Sequence, residues 1–267
     1  MVNEAMQKQW NAPRTMRLWR VAESAVAGLT APLLDKLQPT PGERMMDVGC
    51  GGGISTIAVA KAVGPSGHVV GADISEELLA LSRERAADAQ MTNVTFVNAD
   101  VQVAEVPGAP FDAVLSRLGV MFFGDPVAAF TNVRRQMKPG ARLAFVCFQD
   151  FQANNWYPSD ILAKHEPPRP PSRFLPPSAF ALGDQKSTEG FLSEAGFAGT
   201  TFEAISLEFD VPYEVVSAIG RVPLLNLSPD DAGDAIADLQ AHESQYVCEG
   251  RHRTKRKLWI VRTANPK

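Results

Sequence analysis

The sequence predicts an α/β fold, a Rossmann-like doubly wound sheet that is mostly parallel with an antiparallel last strand and has helices on both faces. Three observations carry this prediction. Short apolar runs ending in an acid recur at Arg44–Asp47, His68–Asp73 and Val94–Asp100, a pattern that suits parallel strands with connections between them. A glycine cluster, Gly49-Cys50-Gly51-Gly52-Gly53, separates the first run from a helix-forming stretch, Ile54–Ala60. Finally, 267 residues with 45% apolar content can bury one sizeable core, and the chain holds only one full sheet pattern, so a single domain over residues 1–267 is expected.

Element by element, residues 1–38 predict a helical cap closed by the turn signal Pro39-Thr40-Pro41-Gly42. Residues 43–150 predict a cofactor-binding core of strands and flanking helices. Beyond Asp150 the pattern becomes irregular, and Pro167-Pro168-Arg169-Pro170-Pro171 with Pro176-Pro177 can continue neither a helix nor a central strand, so 151–187 reads as an inserted lid. Thr188 to Phe197 predicts a helix. Ile205, Leu207, Phe209 and Val211 alternate with Ser206, Glu208 and Asp210 as a half-buried strand. A second lid, 212–254, precedes the closing strand Leu258–Arg262, and segments 188–211 and 255–267 complete the sheet.

The chemistry concentrates at the strand ends. Asp47 lies two residues before the glycine cluster, where glycines let backbone and ligand approach closely. The dinucleotide fingerprint G-x-G-x-x-G would require a glycine at position 54 if Gly49 and Gly51 were its first members, and that position is Ile54. That fingerprint places a pyrophosphate on a helix N-terminus. An acid at Asp47 instead suits a nucleoside bearing an ammonium, and points to S-adenosylmethionine. Asp73 ends the second run, where a carboxylate can accept from both ribose hydroxyls. Asp100 ends the third, where an acid can meet an adenine amino group. Each acid alone could merely cap the next helix; three strand ends facing one crevice are better explained by a shared ligand.

Met46 through Asp100 resembles the class I S-adenosylmethionine-dependent methyltransferases, and the likeness continues through Phe111-Asp112-Ala113-Val114-Leu115-Ser116-Arg117. Gly119-Val120-Met121-Phe122-Phe123, Asp125-Pro126, Met137-Lys138-Pro139-Gly140 and Leu143–Val146 resemble a large bacterial group acting on small molecules. The resemblance implies that Asp47 and the backbone of Gly49, Gly51 and Gly53 surround the methionine part of the cofactor, that Asp73 holds the ribose, and that Ile74 packs on the adenine. Asp100 and the Val101 backbone would read the adenine edge, and Ser116 would lie near the methionine amino group. S-adenosylhomocysteine would be the product.

Composition narrows the partners. A net charge of −4 argues against a nucleic-acid substrate. The basic run Arg251-His252-Arg253-Thr254-Lys255-Arg256-Lys257 is read as a solvated hairpin loop before the last strand. No stretch approaches the roughly 18 apolar residues of a membrane span, and no signal-peptide core is visible, so a cytoplasmic protein, monomer or homodimer, is expected. Cys50, Cys147 and Cys248 form no C-x-x-C pair, which speaks against disulfides, a cysteine zinc site and arsenic methylation. Ser116 and Arg117 stand where metal-assisted transfer would want carboxylates, so no metal is expected.

A sulfonium methyl is already activated, so the protein must mainly align an acceptor, exclude water and remove a proton where there is one. Two residues are candidates for catalytic roles. Arg117 can hold an acidic or phenolate oxygen, or else form a salt bridge with a neighbouring helix, for instance through Asp125. His165, in the first lid, has a side chain able to act as a base near neutrality, although a lone lid histidine is more often solvated. Trp10, Trp19, Phe151, Trp156 and Tyr157, together with Phe148, Phe174, Phe180, Leu224, Leu225 and Leu227, suggest a hydrophobic acceptor pocket or simply lid packing. The expected activity is methyl transfer to a small hydrophobic or aromatic molecule, at oxygen ahead of carbon or nitrogen. The alternative is a cofactor-binding protein that senses a ligand or steers a cyclisation without methylating.

Overall fold

The computed structural model describes residues 3–165, 178–217 and 232–267. It opens with helices α1 (Glu4–Trp10), α2 (Pro13–Ala25) and α3 (Thr30–Leu37). Alternating elements follow: β1 (Arg44–Val48), α4 (Ile54–Val63), β2 (His68–Asp73), α5 (Glu76–Asp88), β3 (Val94–Asn98), β4 (Phe111–Arg117), α6 (Pro126–Arg135) and β5 (Met137–Phe148). The remainder comprises α7 (Ser159–His165), α8 (Gln185–Glu194), β6 (Ala198–Pro212), α9 (Tyr213–Val216), α10 (Ala232–Ser244), β7 (Val247–Cys248) and β8 (Arg251–Ala264).

Helix starts follow from their caps. The Ser75 hydroxyl accepts from the Leu78 N–H ahead of Glu76 and Glu77, and Asp125 accepts from the Ala128 N–H with Pro126 in the first turn. Asp184 accepts from the Ser187 N–H, which is why α8 starts at Gln185 rather than at the Thr188 expected from apolar spacing. Gly53 precedes α4 with φ of +81°, a conformation that glycine adopts without strain.

The strands run in the order β3-β2-β1-β4-β5-β8-β6, with β7 pairing on β8. β1 to β5 are parallel, whereas β8 is antiparallel to both β5 and β6. The order reverses between β2-β1 and β4, and a doubly wound sheet opens its crevice at the strand ends there. Met45 and Met46 of β1 are fully buried at the centre. Alternation along β4 and β5 sends side chains to two helical layers. Phe145 stacks on Phe130 of α6, while Arg117 on the opposite face reaches α2.

The run Arg251–Lys257 is strand, not a hairpin loop. It forms the first half of β8, pairing from Arg251 opposite Pro212 to Lys257 opposite Ser206. Its two-residue alternation buries His252, Thr254 and Arg256, while Arg251 and Arg253 meet Asp210 across the strand and Lys255 lies 3.8 Å from Glu208. Opposite charges facing each other across an antiparallel pair favour this register. The proline tract with Phe174 and the Leu224–Leu227 cluster fall outside the described residues.

Candidate functional site

A hollow opens at the carboxyl ends of β1, β2 and β4 and over the turn that follows β3. Gly49, Gly51, Asp73, Ile74, Asp100 and Val101 all line it, so the structure brings together six of the residues singled out from the sequence. Gly51 sits at φ +55° and its N–H donates to Asp73 Oδ2 at 2.8 Å; Asp73 Oδ1 accepts from the Ser75 N–H at 2.9 Å. The carboxylate is therefore locked in place at the rim of the hollow. Burial pushes its pKa up, opposed by the backbone N–H groups of Ser75, Gly51 and Ile74.

Three other expected residues stand behind the lining. Asp47 is fully buried; its Oδ2 accepts from the Ser55 and Thr56 hydroxyls at 2.7 and 2.8 Å, and its Oδ1 has no hydrogen-bond partner among the described residues. Burial raises its pKa to about 6, against the pull of those hydroxyls and of Arg117. Gly53 packs against α5, where a β-carbon would lie 3.1 Å from Ser82 Cβ. The Ser116 hydroxyl donates to the Val48 carbonyl and accepts from the Gly119 and Val120 N–H groups, tying the exit of β4 to the end of β1.

Of the residues expected in an acceptor pocket, Trp10 and Trp19 line this hollow, packed edge to face at 5.4 Å, and Trp10 meets Phe122 at the same distance. Trp156 and Tyr157 do not reach it. They form an aromatic cluster with Phe148 and Phe180, and the Arg256 guanidinium stacks 4.1 Å from the Trp156 ring and 3.2 Å from Phe209. Phe151 is 44% exposed and also stands away from the lining.

The two catalytic candidates part company. Arg117 lines the hollow and is buried; Nη1 donates to the Val26 carbonyl and Nη2 lies 3.7 Å from Glu23, so its salt-bridge partner is on α2 rather than Asp125. Burial lowers its pKa from the usual arginine value, with Glu23 and Asp47 opposing. His165 sits on α7 against α10, with Nε2 3.2 Å from Asp238, a carboxylate that also accepts from Lys164; it is not among the residues of the hollow.

Several lining or supporting residues were not assigned to the site from the sequence, among them Glu23, Gly119, Leu118 and Asn3. Glu23 is fully buried and accepts from the Gly52 N–H at 3.1 Å and from Arg85 at 2.7 Å. Gly119 faces Gly49 so closely that a β-carbon on Gly49 would lie 2.8 Å from Gly119 Cα. Leu118 lines the hollow at φ +66°, a strained conformation for a branched residue. Asn3 closes the far side: its N–H donates to Asp100 Oδ2 and its amide to the Phe122 carbonyl, each at 2.8 Å. Among the described residues, no group of three His, Cys, Asp or Glu side chains is placed to hold a metal ion.

Two donor-poor, anion-rich strand ends beside a glycine turn suit a nucleoside carrying positive charge, and comparison with known proteins agrees. Residues 39–167 match a family model described as a methyltransferase domain. The chain is 30% identical over 175 residues to the ubiquinone/menaquinone biosynthesis C-methyltransferase UbiE of Saccharophagus degradans, covering 60% of this chain and 69% of that one. It is 32% identical over 113 residues to the aklanonic acid methyltransferase DauC of Streptomyces sp., where the match covers 42% of this chain and spans about half (51%) of the relative. Phosphoethanolamine N-methyltransferase 2 of Haemonchus contortus, solved with S-adenosyl-L-methionine, shares the fold with a TM-score of 0.57 at 18% identity, over 90% of this chain and 53% of that one.

Proposed function

Because the chain belongs to the class I S-adenosylmethionine-dependent methyltransferases, we propose that it transfers a methyl group from S-adenosylmethionine to a small aromatic or otherwise hydrophobic acceptor, releasing S-adenosylhomocysteine. The observation that carries this reading is the convergence of Gly49, Gly51, Asp73 and Asp100 on one hollow at the reversal of strand order. No helix among the described residues is long and apolar enough to cross a membrane.

The residues present fit the cofactor. Asp73 offers two fixed carboxylate oxygens with lone pairs to spare for the ribose hydroxyls. Ile74 and Leu78 give an apolar bed for the adenine, whose edge Asp100 and the Val101 backbone would read. Asp100 already accepts from Asn3 and Gln102, and a carboxylate retains capacity for a further donor. The turn at Gly49 and Gly51 admits the methionine part, with the unpartnered Asp47 Oδ1 supplying negative charge for its ammonium.

Bound there, the cofactor supplies a methyl group already activated on sulfur. The chain's part is to exclude water, with Trp10, Trp19 and Phe122, and to align the acceptor. Among the described residues, no histidine, cysteine, lysine or tyrosine lines the hollow. This favours an acceptor that arrives ionised or loses its proton easily, such as a phenol, a hydroquinone or a carboxylic acid. Oxygen stays ahead of carbon in this reading, and carbon is kept as an alternative because one relative, UbiE, is a C-methyltransferase.

The test is incubation with S-adenosylmethionine and a panel of naphthols, hydroquinones and anthraquinone carboxylic acids, with both products followed by mass spectrometry. Stoichiometric S-adenosylhomocysteine and a methylated acceptor would establish the activity. Tight cofactor binding with conversion of an acceptor but no methylation would favour the cyclase-like alternative, and no cofactor binding by folded protein would overturn the reading.

A further inference from the structure

Two residues that line the hollow and one that stands behind its wall carry buried polar atoms without a hydrogen-bond partner among the described residues: Trp19 Nε1, Arg117 Nε and Asp47 Oδ1. Buried polar atoms are almost always paired, so three orphans at one place call for a ligand. They are also close together. A β-carbon on Gly51 would lie 3.4 Å from Trp19 Nε1 and 3.8 Å from Glu23 Oε1, and that same Glu23 oxygen is 3.7 Å from Arg117 Nη2. Gly51, Trp19 and Arg117 line the same hollow, and the charge of Arg117 is felt at Asp47.

The orphans divide by sign. Trp19 and Arg117 present N–H donors, one of them cationic, whereas Asp47 presents an acceptor. Arg117 cannot turn its donor elsewhere, because Nη1 is held by the Val26 carbonyl and Nη2 by Glu23. Two donors and one acid match an α-amino acid zwitterion, whose carboxylate needs donors and whose ammonium needs an acceptor.

We propose that Trp19 Nε1 and Arg117 Nε together receive the carboxylate of the methionine moiety of S-adenosylmethionine, and that Glu23 is the positioning residue that fixes Arg117 and the glycine turn for this purpose. The proposal rests on the cofactor reading above and changes the role of one residue: Arg117 serves the cofactor and is not available to hold an acceptor oxygen. It also makes α2, which carries both Trp19 and Glu23, a wall of the cofactor site.

The test compares two nucleosides by calorimetry. S-adenosylhomocysteine carries the amino-acid end, and 5′-methylthioadenosine shares the adenine, ribose and thioether without it. The expected result is that Trp19→Phe and Arg117→Lys each weaken S-adenosylhomocysteine about tenfold or more, as loss of a charge-assisted or buried hydrogen bond should, with 5′-methylthioadenosine unchanged within about twofold. Glu23→Gln keeps an oxygen for the Gly52 N–H but loses the charge that holds Arg117, so it should lower the preference for S-adenosylhomocysteine in the same direction. Trp19→Phe, the least disruptive change, guards against a variant that fails to fold. Equal weakening of both nucleosides, or no weakening of either, would overturn the proposal. Wild-type protein that binds both equally well would overturn it too while leaving the cofactor reading intact, and wild-type protein that binds neither would overturn that reading itself.

Discussion

The carboxylate of Glu23 on α2 accepts the Gly52 N–H at 3.1 Å, so the N-terminal helices are tied to the glycine turn by a fully buried charge. That charge also pairs with Arg85 at 2.7 Å and stands 3.7 Å from Arg117. Removing one member of a buried pair leaves the other uncompensated, at a cost of about 3 kcal/mol or more. Glu23→Ala should therefore lower the unfolding free energy by roughly that amount in denaturant titration. Arg85, whose side chain is 31% exposed, can recover water when its partner is lost, so a loss below about 1 kcal/mol would show that Arg117 is satisfied without Glu23.

Gly49 and Gly119 allow the end of β1 and the exit of β4 to touch. A β-carbon on Gly119 would come 2.6 Å from the Val48 carbonyl oxygen, and one on Gly49 would meet Gly119 Cα. Either alanine should cost about 1–3 kcal/mol by overpacking and should weaken cofactor binding with it. Gly190 is the control. It lies inside α8 with nothing within 4 Å of a β-carbon, so Gly190→Ala should raise stability by roughly 0.5–1 kcal/mol in the same melts.

These residues show what the sequence could and could not disclose. The core was legible because each strand from β1 to β3 is a short apolar run with an acid at or near its end, a pattern contained within Arg44–Asp100. Glu23 was not, because a single glutamate on a helix looks solvated until its partners arrive from 29 and 62 residues away. Arg256 sits in a run that reads as a solvated cluster, yet strand alternation buries every second member of it. Phe151 and Trp156 are alike in composition and differ in fate, 44% against 5% exposed, because the segment after β5 has no periodicity to mark its inner face.

His165 is expected to be dispensable. Its ring nitrogen lies 3.2 Å from Asp238 on α10, beside Lys164, and the residues around the hollow do not include it. His165→Ala should leave kcat within about twofold. A fall in kcat of about a hundredfold would mean that His165 acts on the acceptor.

Asp47 links stability and binding through pH. Its folded pKa is raised from 3.8 to about 6, so the folded state holds this proton more tightly than the unfolded chain does. The sign follows: the contribution to stability is full below about pH 4 and is lost as the pH rises from there through 6, up to roughly 3 kcal/mol in all. Asp47→Asn should then raise the melting temperature at pH 7.5 and change it little at pH 4. Binding should respond in the opposite sense, since an ammonium needs the ionised carboxylate. Wild-type affinity for S-adenosylhomocysteine is expected to fall as pH drops below 6, while 5′-methylthioadenosine, which lacks the ammonium, stays flat. Calorimetry at pH 5.5 in buffers of different ionisation enthalpy should register proton release with the first ligand alone. An affinity independent of pH between 5 and 7.5 would show that Asp47 is not the group beneath the ammonium.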